Sequence, residues 1–421
     1  MAQLSDDCFA FSGPLMPVAD AERLIAERVA AVEGVETVPL RTAAGRVLAR
    51  DIIAPVALPP FDNSAVDGYA VRAADLEREG ETRLAVIDRA AAGHAAGLAL
   101  RAGEAIRIFT GAPMPSGADT VFMQEDCRVE ADAVVVPPGL ERGANSRSAG
   151  EDVGAGAVML PAGRRLTAQD LALAAAVGAT RLAVRRKLRV AVFSTGDEVV
   201  DPGGARPAAA IFDANRHLLR GLLEKFGADV TDLGILPDQR PALQGAIAAA
   251  AADHDLVVTS GGVSTGKAVQ VRAAVEAIGR LVFWRVAIKP GRPVAMGVLP
   301  SKHGTAFAGL PGNPAAVYVT FVRVVWPLLL RLAGAEPRAP LALPVRATFA
   351  YRKRRGRREY VRVTLRTAGD GVVEAVKFPR DGAGVITSLT ETDGLVELGE
   401  DVTEIAPGAS VKFLSYAALT G

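Results

Sequence analysis

Residues Leu256 to Lys267 read LVVTSGGVSTGK, an apolar run followed by Ser260, Gly261 and Gly262, then Ser264, Thr265 and Gly266. The pattern predicts a buried strand, a glycine loop and the start of a helix. A strand that ends in small residues and hydroxyls gathers backbone N–H groups and a helix N-terminus into one concavity, which suits a phosphate or another oxyanion. Glycine-rich turns of this kind also occur simply because the chain must turn tightly.

Around this stretch, from Lys187 onward, apolar runs alternate with helical patterns, the signature of a parallel sheet covered by helices on both faces. Helices are expected at Asn215–Phe226, Pro241–Ala252 and Gln270–Ile278, and strands at Asp229–Ile235, Leu256–Ser260 and Ala306–Leu310. Ligands of open α/β sheets collect at the carboxyl ends of the strands. Four polar groups fall there: STGDE at Ser194 to Glu198, Asp238 after GILP, Ser260 to Lys267, and PGNP at Pro311 to Pro314. Between the last two, WRVAIKPGRP places Arg285, Lys289 and Arg292 where they could converge on one anion, or simply be solvated.

Upstream, Asp20 to Val32 has apolar residues at helical spacing behind an aspartate that could cap it. PFDNSAVDGYAVR, Pro60 to Arg72, is turn-rich; Asp62 and Asn63 suit local Asx turns, which leaves Asp67 as the better site candidate. Arg83 to Val136 alternates strand-like runs with turns, and within it IRIFTGAPMP puts Thr110 and Gly111 at a strand end. RGANSRSAGED, Arg142 to Asp152, concentrates charge in a glycine-rich connection; Thr167 then fits an N-cap for a helix that Gly178 stops. The basic run RKRRGRR, Arg352 to Arg358, opens a final β-rich segment and is expected at a hairpin rim or against a small anionic ligand.

Composition excludes several classes. With 48 Lys plus Arg against 47 Asp plus Glu, net charge +1, bulk electrostatics do not recruit nucleic acid or a membrane surface. The chain is 50% hydrophobic and 23% charged but only 5% aromatic, which predicts several ordinary globular domains with aliphatic cores. Cys8 and Cys127 have no metal-ligand or CxxC spacing, so a reduced cytoplasmic setting is expected. The opening MAQLSDDCFAF has early acids and no continuous apolar core, so no secretory signal is expected. The longest apolar region, Phe321 to Leu332, is interrupted by Arg323 and Pro327 and is expected to be too short to span a bilayer.

Taken in order, PFDNSAVDGYA, RIFTGAPMP, GED, STGDE, SGGVS, KPGRP, LPGNP and KRRGRREY resemble the molybdopterin molybdenumtransferase family, which includes MoeA and the gephyrin E domain. Each motif alone is weak; all of them in register over about 300 residues leave little room for chance. The resemblance implies a multidomain α/β plus β architecture. A helical linker domain would comprise 1–55 and 148–186, an inserted β-rich domain 56–147, a MoaB/Mog-like three-layer α/β molybdopterin-binding domain 187–335, and a C-terminal β-barrel 340–421. It implies an elongated homodimer with the active site between the α/β domain of one subunit and the β-rich domain of the other. The implied reaction inserts molybdate into adenylylated molybdopterin and releases AMP, with Mg2+ as the divalent cation.

By motif match the resemblance carries over Asp67, Glu198, Asp238 and Lys289 as catalytic residues, with Glu198 and Asp238 as the metal-binding pair. Thr110, Asp152, Ser194, Ser260, Gly261, Gly262, Ser264, Arg285 and Arg292 carry over as substrate-binding residues, with Pro311, Gly312, Asn313 and Pro314 of the PGNP loop and Arg362 of the C-terminal domain. Molybdopterin adenylyltransferase and molybdoenzyme-maturation proteins are implied partners. The chain departs from the pattern after SGGVS, where the family usually continues V/T-G-E/D-x-D; here Lys267 and Val269 stand at the two acidic positions. That exchange is expected to alter cation affinity nearby. It keeps open an alternative reading, a paralogue that binds or carries molybdopterin without the transfer. Ala383 stands where a GSG turn commonly has Ser, and Arg147 is alone in a segment usually richer in arginine.

Overall fold

The computed structural model describes residues 15–262, 269–336 and 339–420. Its centre is a six-stranded sheet in the spatial order Asp229–Leu236, Arg189–Thr195, Leu256–Ser260, Thr305–Leu310, Pro293–Leu299, Arg280–Arg285. All five residues of Leu256–Ser260 are buried. Leu256 and Val258 pack into one apolar cluster with Leu219 and Leu223, while Val257 enters another with Leu243, Ile247 and Val271. Burial on both faces explains why this strand reads as a continuous apolar run and not as an alternating one.

The first four strands are parallel. Pro293–Leu299 runs antiparallel to both of its neighbours, Thr305–Leu310 and Arg280–Arg285, which differs from an all-parallel expectation. The reason is the short link WRVAIKPGRP: it reverses the chain directly and is too short for a helical crossover.

Helices lie close to where the periodicity puts them, at Asn215–Phe226, Arg240–Asp253 and Val269–Ile278. A further helical run, Pro314–Leu332, spans 19 residues and is long and apolar enough to cross a bilayer, longer than the apolar pattern alone predicts. It is nevertheless 83% buried inside the protein, as a core helix is. Pro327 lacks the N–H that a regular turn needs, and the preceding turn widens to π geometry over Phe321–Val325. There Arg323 is buried and pairs with Glu22 at 2.6 Å.

Glu22 belongs to helix Val18–Arg28, whose Val18, Ala21 and Ile25 join the same core as Trp326 and Leu329. The helix ends before Val32, because Val29 is extended and the Val32 N–H donates to Leu332 O. Pro17 occupies the cap position, with Asp20 in the first turn. Beyond it, Val35–Pro39 pairs antiparallel with Arg181–Arg185, and Ile52–Ile53 with Val158–Leu160. Leu48, Leu160, Leu166, Leu182 and Val184 form a separate small core there. Helix Ala168–Ala176 completes it, its Thr167 cap and Asp170 making the reciprocal bonds of a capping box.

Between these pairings the chain builds a second six-stranded sheet, in the order Thr120–Met123, Gly68–Val71, Glu104–Ile108, Thr82–Ala90, Ala133–Val136, Arg128–Glu130. It carries an apolar cluster on each face. At the C-terminus Arg358–Thr367, Val373–Lys377, Leu343–Ala347, Ser410–Ser415 and Gly394–Leu398 close on themselves as a five-stranded barrel. The basic run lies against the distant 399–405 segment and not in a hairpin of its own. Tyr351–Arg352 pairs with Glu404–Ile405, Arg352 with Glu404 and Arg358 with Glu400, while the Lys353 ammonium donates to Gly399 O and Val402 O.

Candidate active site

The strand Arg189–Thr195 ends in Ser194 and Thr195, and Leu256–Ser260 ends beside it in register, Ser194 opposite Ser260. Ser260 Oγ donates to Pro311 O at 3.1 Å, and the Gly261 N–H to Leu310 O at 3.2 Å, which ties the SGG loop to PGNP. Gly261 has φ +88°, and a Cβ there would stand 2.5 Å from Thr195 O, so the loop admits glycine alone. Ser194 is 2% exposed and its Oγ has no hydrogen-bond partner. A buried hydroxyl of that kind, at the mouth of a site, is available to a ligand.

The acidic groups sit on the next layer. Thr195 Oγ1 lies 3.5 Å from Asp238 Oδ1. Burial pushes the Asp238 carboxyl above its usual range, and the nearby charges of Asp197 and Glu198 push it further. A cation among these carboxylates would relieve both effects. Glu198 folds back over Gly196, where a Cβ would stand 3.0 Å from Glu198 Oε2. Among the described residues no group of three or more His, Cys, Asp or Glu side chains is gathered into a metal-holding set.

A cleft of about 950 Å³ opens between these strand ends and the barrel. Glu198, Lys289, Pro311, Gly312 and Asn313 line one side, Tyr351, Arg362, Lys377, Asp381 and Ala383 the other. Several bonds hold the walls together. Ile288–Lys289 adds parallel to the barrel strand at Arg358–Glu359, the Ala315 N–H donates to Ala383 O at 3.0 Å, and Asn215 Nδ2 donates to Gly312 O at 2.7 Å. Pro314, placed with the PGNP loop by the sequence, is already the first residue of its helix.

Of the cations that line the cleft, Lys289 and Arg362 face it in different ways. Lys289 donates to Glu359 Oε2 at 3.1 Å and to Tyr351 Oη at 3.3 Å. Burial alone would lower the Lys289 pKa, but these bonds outweigh it and hold the ammonium above its ordinary value. Glu359, fully buried, also accepts from Arg357 at 2.9 Å and from Tyr351 at 2.8 Å. Motif reading did not single Glu359 out, although it lies inside KRRGRREY; the signal was an acid within a basic run. Arg362 is 9% exposed, donates to Gly382 O at 3.0 Å and leaves its Nε unpartnered. Burial lowers its pKa, yet a guanidinium stays charged at neutral pH. Lys289 and Glu198 thus share the strand-end wall, and Arg362 with the Lys377–Asp381 pair faces them from the barrel.

Three other motifs meet on the inserted β-rich region. Thr110 donates to Asp67 Oδ1 from both its N–H and its hydroxyl, each at 2.7 Å. The backbone bond first and the hydroxyl second hold the Asp67 carboxyl below its usual range. Ser64 and Asn63 pair with Ser146 and Arg147, and the Gly111 N–H donates to Ser64 O. Asp62 does not make a local turn bond. Its Oδ1 accepts from the Ala149 N–H at 2.8 Å and ties PFDNS to the SRSAGED segment. Arg147 pairs with Glu151 at 2.6 Å, and Asp152 is exposed.

Not every expected residue joins the cleft. Arg285 and Arg292 are exposed on the hairpin and do not line it with Lys289. Asp67, Thr110 and Asp152 do not line it either, and Ser194, Asp238, Ser260, Gly261 and Gly262 lie at the neighbouring strand ends, off the lining. Ser264 and Lys267 lie outside the described residues, and Val269 is the first residue of its helix.

Comparison with known proteins identifies the family along nearly the whole chain. Residues 16–178 match the MoeA N-terminal region (domains I and II), 191–331 a probable molybdopterin-binding domain, and 344–416 the MoeA C-terminal region (domain IV). A molybdopterin molybdenumtransferase of Haemophilus influenzae is 37% identical over 92% of this chain and 95% of its own length. One from a Nostoc species is 35% identical over 95% and 94%. The crystal structure of a molybdopterin biosynthesis MoeA protein from Pyrococcus horikoshii superposes with a TM-score of 0.80 at 29% identity, covering 96% of this chain and all of that one. With relatives of that similarity along nearly its whole length, the chain belongs to the MoeA family of molybdopterin molybdenumtransferases.

Proposed function

We propose that this protein inserts molybdate into adenylylated molybdopterin with release of AMP, a transferase step of molybdenum cofactor biosynthesis. The observation that carries the reading is that one cleft brings cations and a carboxylate together. Arg362, buried with a free Nε, and Lys289, held charged by Glu359, suit oxyanions, while Glu198 in the lining and Asp238 beside it, off the lining, suit a cation. The naming of the relatives as transferases favours catalysis over the carrier reading.

In this reading the free Ser194 hydroxyl and the turn after Gly261, whose own N–H is held by Leu310 O, bind substrate phosphates. Arg362 and Lys289 draw the molybdate and pterin anions together against their mutual repulsion. Glu198 and Asp238 fit a hard divalent cation by donor type, and Mg2+ held there would neutralise charge on the phosphoanhydride as AMP leaves. The division at 1–55 with 148–186, 56–147, 187–335 and 340–421 belongs to the same reading, supported by small cores of their own in the first, second and fourth parts, while helix Val18–Arg28 packs into the large core of the third.

The subunits are inferred to pair as a homodimer, so that the Asp67–Thr110 pair of one approaches the cleft of the other. A cytoplasmic enzyme supplying the adenylylated pterin and maturation proteins accepting the product are the corresponding partners. The test is AMP release from adenylylated molybdopterin with molybdate and Mg2+. Turnover by the wild type, falling at least tenfold in Arg362→Ala, is expected; no AMP release by the wild type overturns the reading.

A further inference from the structure

The inserted β-rich region holds a second cluster that the reading above does not use. Tyr69, Arg107 and Arg89 are direct neighbours across three adjacent strands, Tyr69 opposite Arg107 and Arg107 opposite Arg89. Phe109, two residues beyond Arg107, projects from the same face. Arg89 lies 4.6 Å and Arg107 4.9 Å from the centroid of the Phe109 ring, and Arg107 is also 4.9 Å from that of Tyr69. One ring thus holds two guanidiniums side by side.

Neither guanidinium is neutralised by an ion pair among the described residues. Arg107 is held in place by uncharged acceptors, Gly68 O at 3.1 Å and Gln124 Oε1. The nearby carboxylates take their hydrogen bonds elsewhere, and the Asp67 charge acts on Arg107 only at a distance, without an ion pair. Asp88 accepts the backbone N–H groups of Arg89, Gly97 and Leu98, Asp67 accepts from Thr110, and Glu125 accepts from Gln124 Nε2. Two like charges fixed against one ring repel, and an anion bridging them removes that repulsion while taking up the remaining N–H donors of both forks.

We propose that Arg89 and Arg107, braced on Phe109, form an oxyanion subsite for a phosphate or diphosphate group on the β-rich region, beside the Asp67–Thr110 pair. A single carboxylate or chloride would engage one fork; a diphosphate has the span and oxygen count for two. The site exists whatever the chain catalyses. Only its assignment to the substrate's own phosphates rests on the proposed function.

The experiment titrates inorganic pyrophosphate into the full-length protein at low salt by calorimetry, comparing wild type with Arg89→Gln, Arg107→Lys and Arg128→Gln. Arg128 is an exposed arginine of the same region already paired with Glu81. A binding component weakened about tenfold or lost in Arg89→Gln, weakened in Arg107→Lys and retained in Arg128→Gln is expected. Superimposable isotherms for wild type and Arg89→Gln, or equal loss in Arg128→Gln, overturn the site. In turnover, Arg89→Gln is expected to raise KM for adenylylated molybdopterin about tenfold with kcat within twofold; an unchanged KM overturns the substrate assignment. Loss of pyrophosphate binding in Arg89→Gln from a wild type that releases no AMP would leave the subsite standing and remove the proposed function.

Discussion

Lys289, on the two-residue strand that the α/β sheet lends to the barrel, donates to the fully buried Glu359 at 3.1 Å. The bond joins two parts of the chain through a charge that faces the cleft. Glu359 receives Arg357 and Tyr351 as well, so one buried anion organises two cations and a phenol.

Removing that anion leaves Arg357 and Lys289 without their shared partner. Glu359→Ala is expected to cost about 3 kcal/mol in urea unfolding, the low end for a buried pair because Lys289 is half exposed. Because the folded Lys289 pKa is raised, the stability its pair contributes is complete below the unfolded lysine pKa of about 10.4 and disappears as pH rises through the folded value. The gap between wild type and Glu359→Gln should hold through neutral pH and shrink above that range. A gap that is flat into strong alkali would show that the pair does not titrate as described.

Asp67 takes two bonds from Thr110, and Thr110→Val removes only the hydroxyl one. The Asp67 carboxyl should then move part of the way back up toward its ordinary pKa. In the pH profile of kcat/KM the acid limb should shift to higher pH, with a loss of rate of about tenfold. An acid limb identical to wild type would mean that Asp67 ionisation does not govern it.

If the Asp67–Thr110 pair completes the cleft of a second subunit, Asp67→Asn and Glu198→Gln damage different halves of each site. Co-expression of the two variants should then restore about a quarter of wild-type activity, since half of the dimers are mixed and each has one intact site. Mixed preparations no more active than either parent would exclude shared sites.

Burial pushes the Asp170 carboxyl up, but Arg164 at 2.7 Å and both Thr167 donors outweigh it and hold its pKa below the usual range. A depressed carboxyl contributes stability above its unfolded pKa of about 3.9, lost as pH falls through the folded value. Asp170→Ala, which removes the capping box and the ion pair, is expected to cost about 2 kcal/mol at pH 7, with the cost fading in acid. Thermal unfolding at pH 7 and pH 3 checks this; equal losses at both would rule it out.

The cleft's chemistry is only half sequential. SGG, PGNP and KPGRP were legible because each combines glycine or proline with a strand end, and backbone chemistry of that kind is local. The partner of Lys289 was not, because Glu359 lies 70 residues away and its importance comes from burial, which a run of arginines conceals. Arg285 and Arg292 share a loop with Lys289, yet the antiparallel hairpin leaves them exposed and away from the cleft lining.

By itself the sequence determined the strand Leu256–Ser260, its glycine turn, the flanking helices and the order of motifs, because hydrophobic periodicity and turn chemistry act over a few residues. Tertiary structure alone decided the antiparallel edge of the sheet, the closure of the barrel onto Lys289 and the gathering of PFDNS, TGAP and SRSAGED. It also set Arg89 and Arg107 on one ring. Those outcomes depend on which distant surfaces bury each other and which charges lose their water, and neither is encoded within the reach of a single motif.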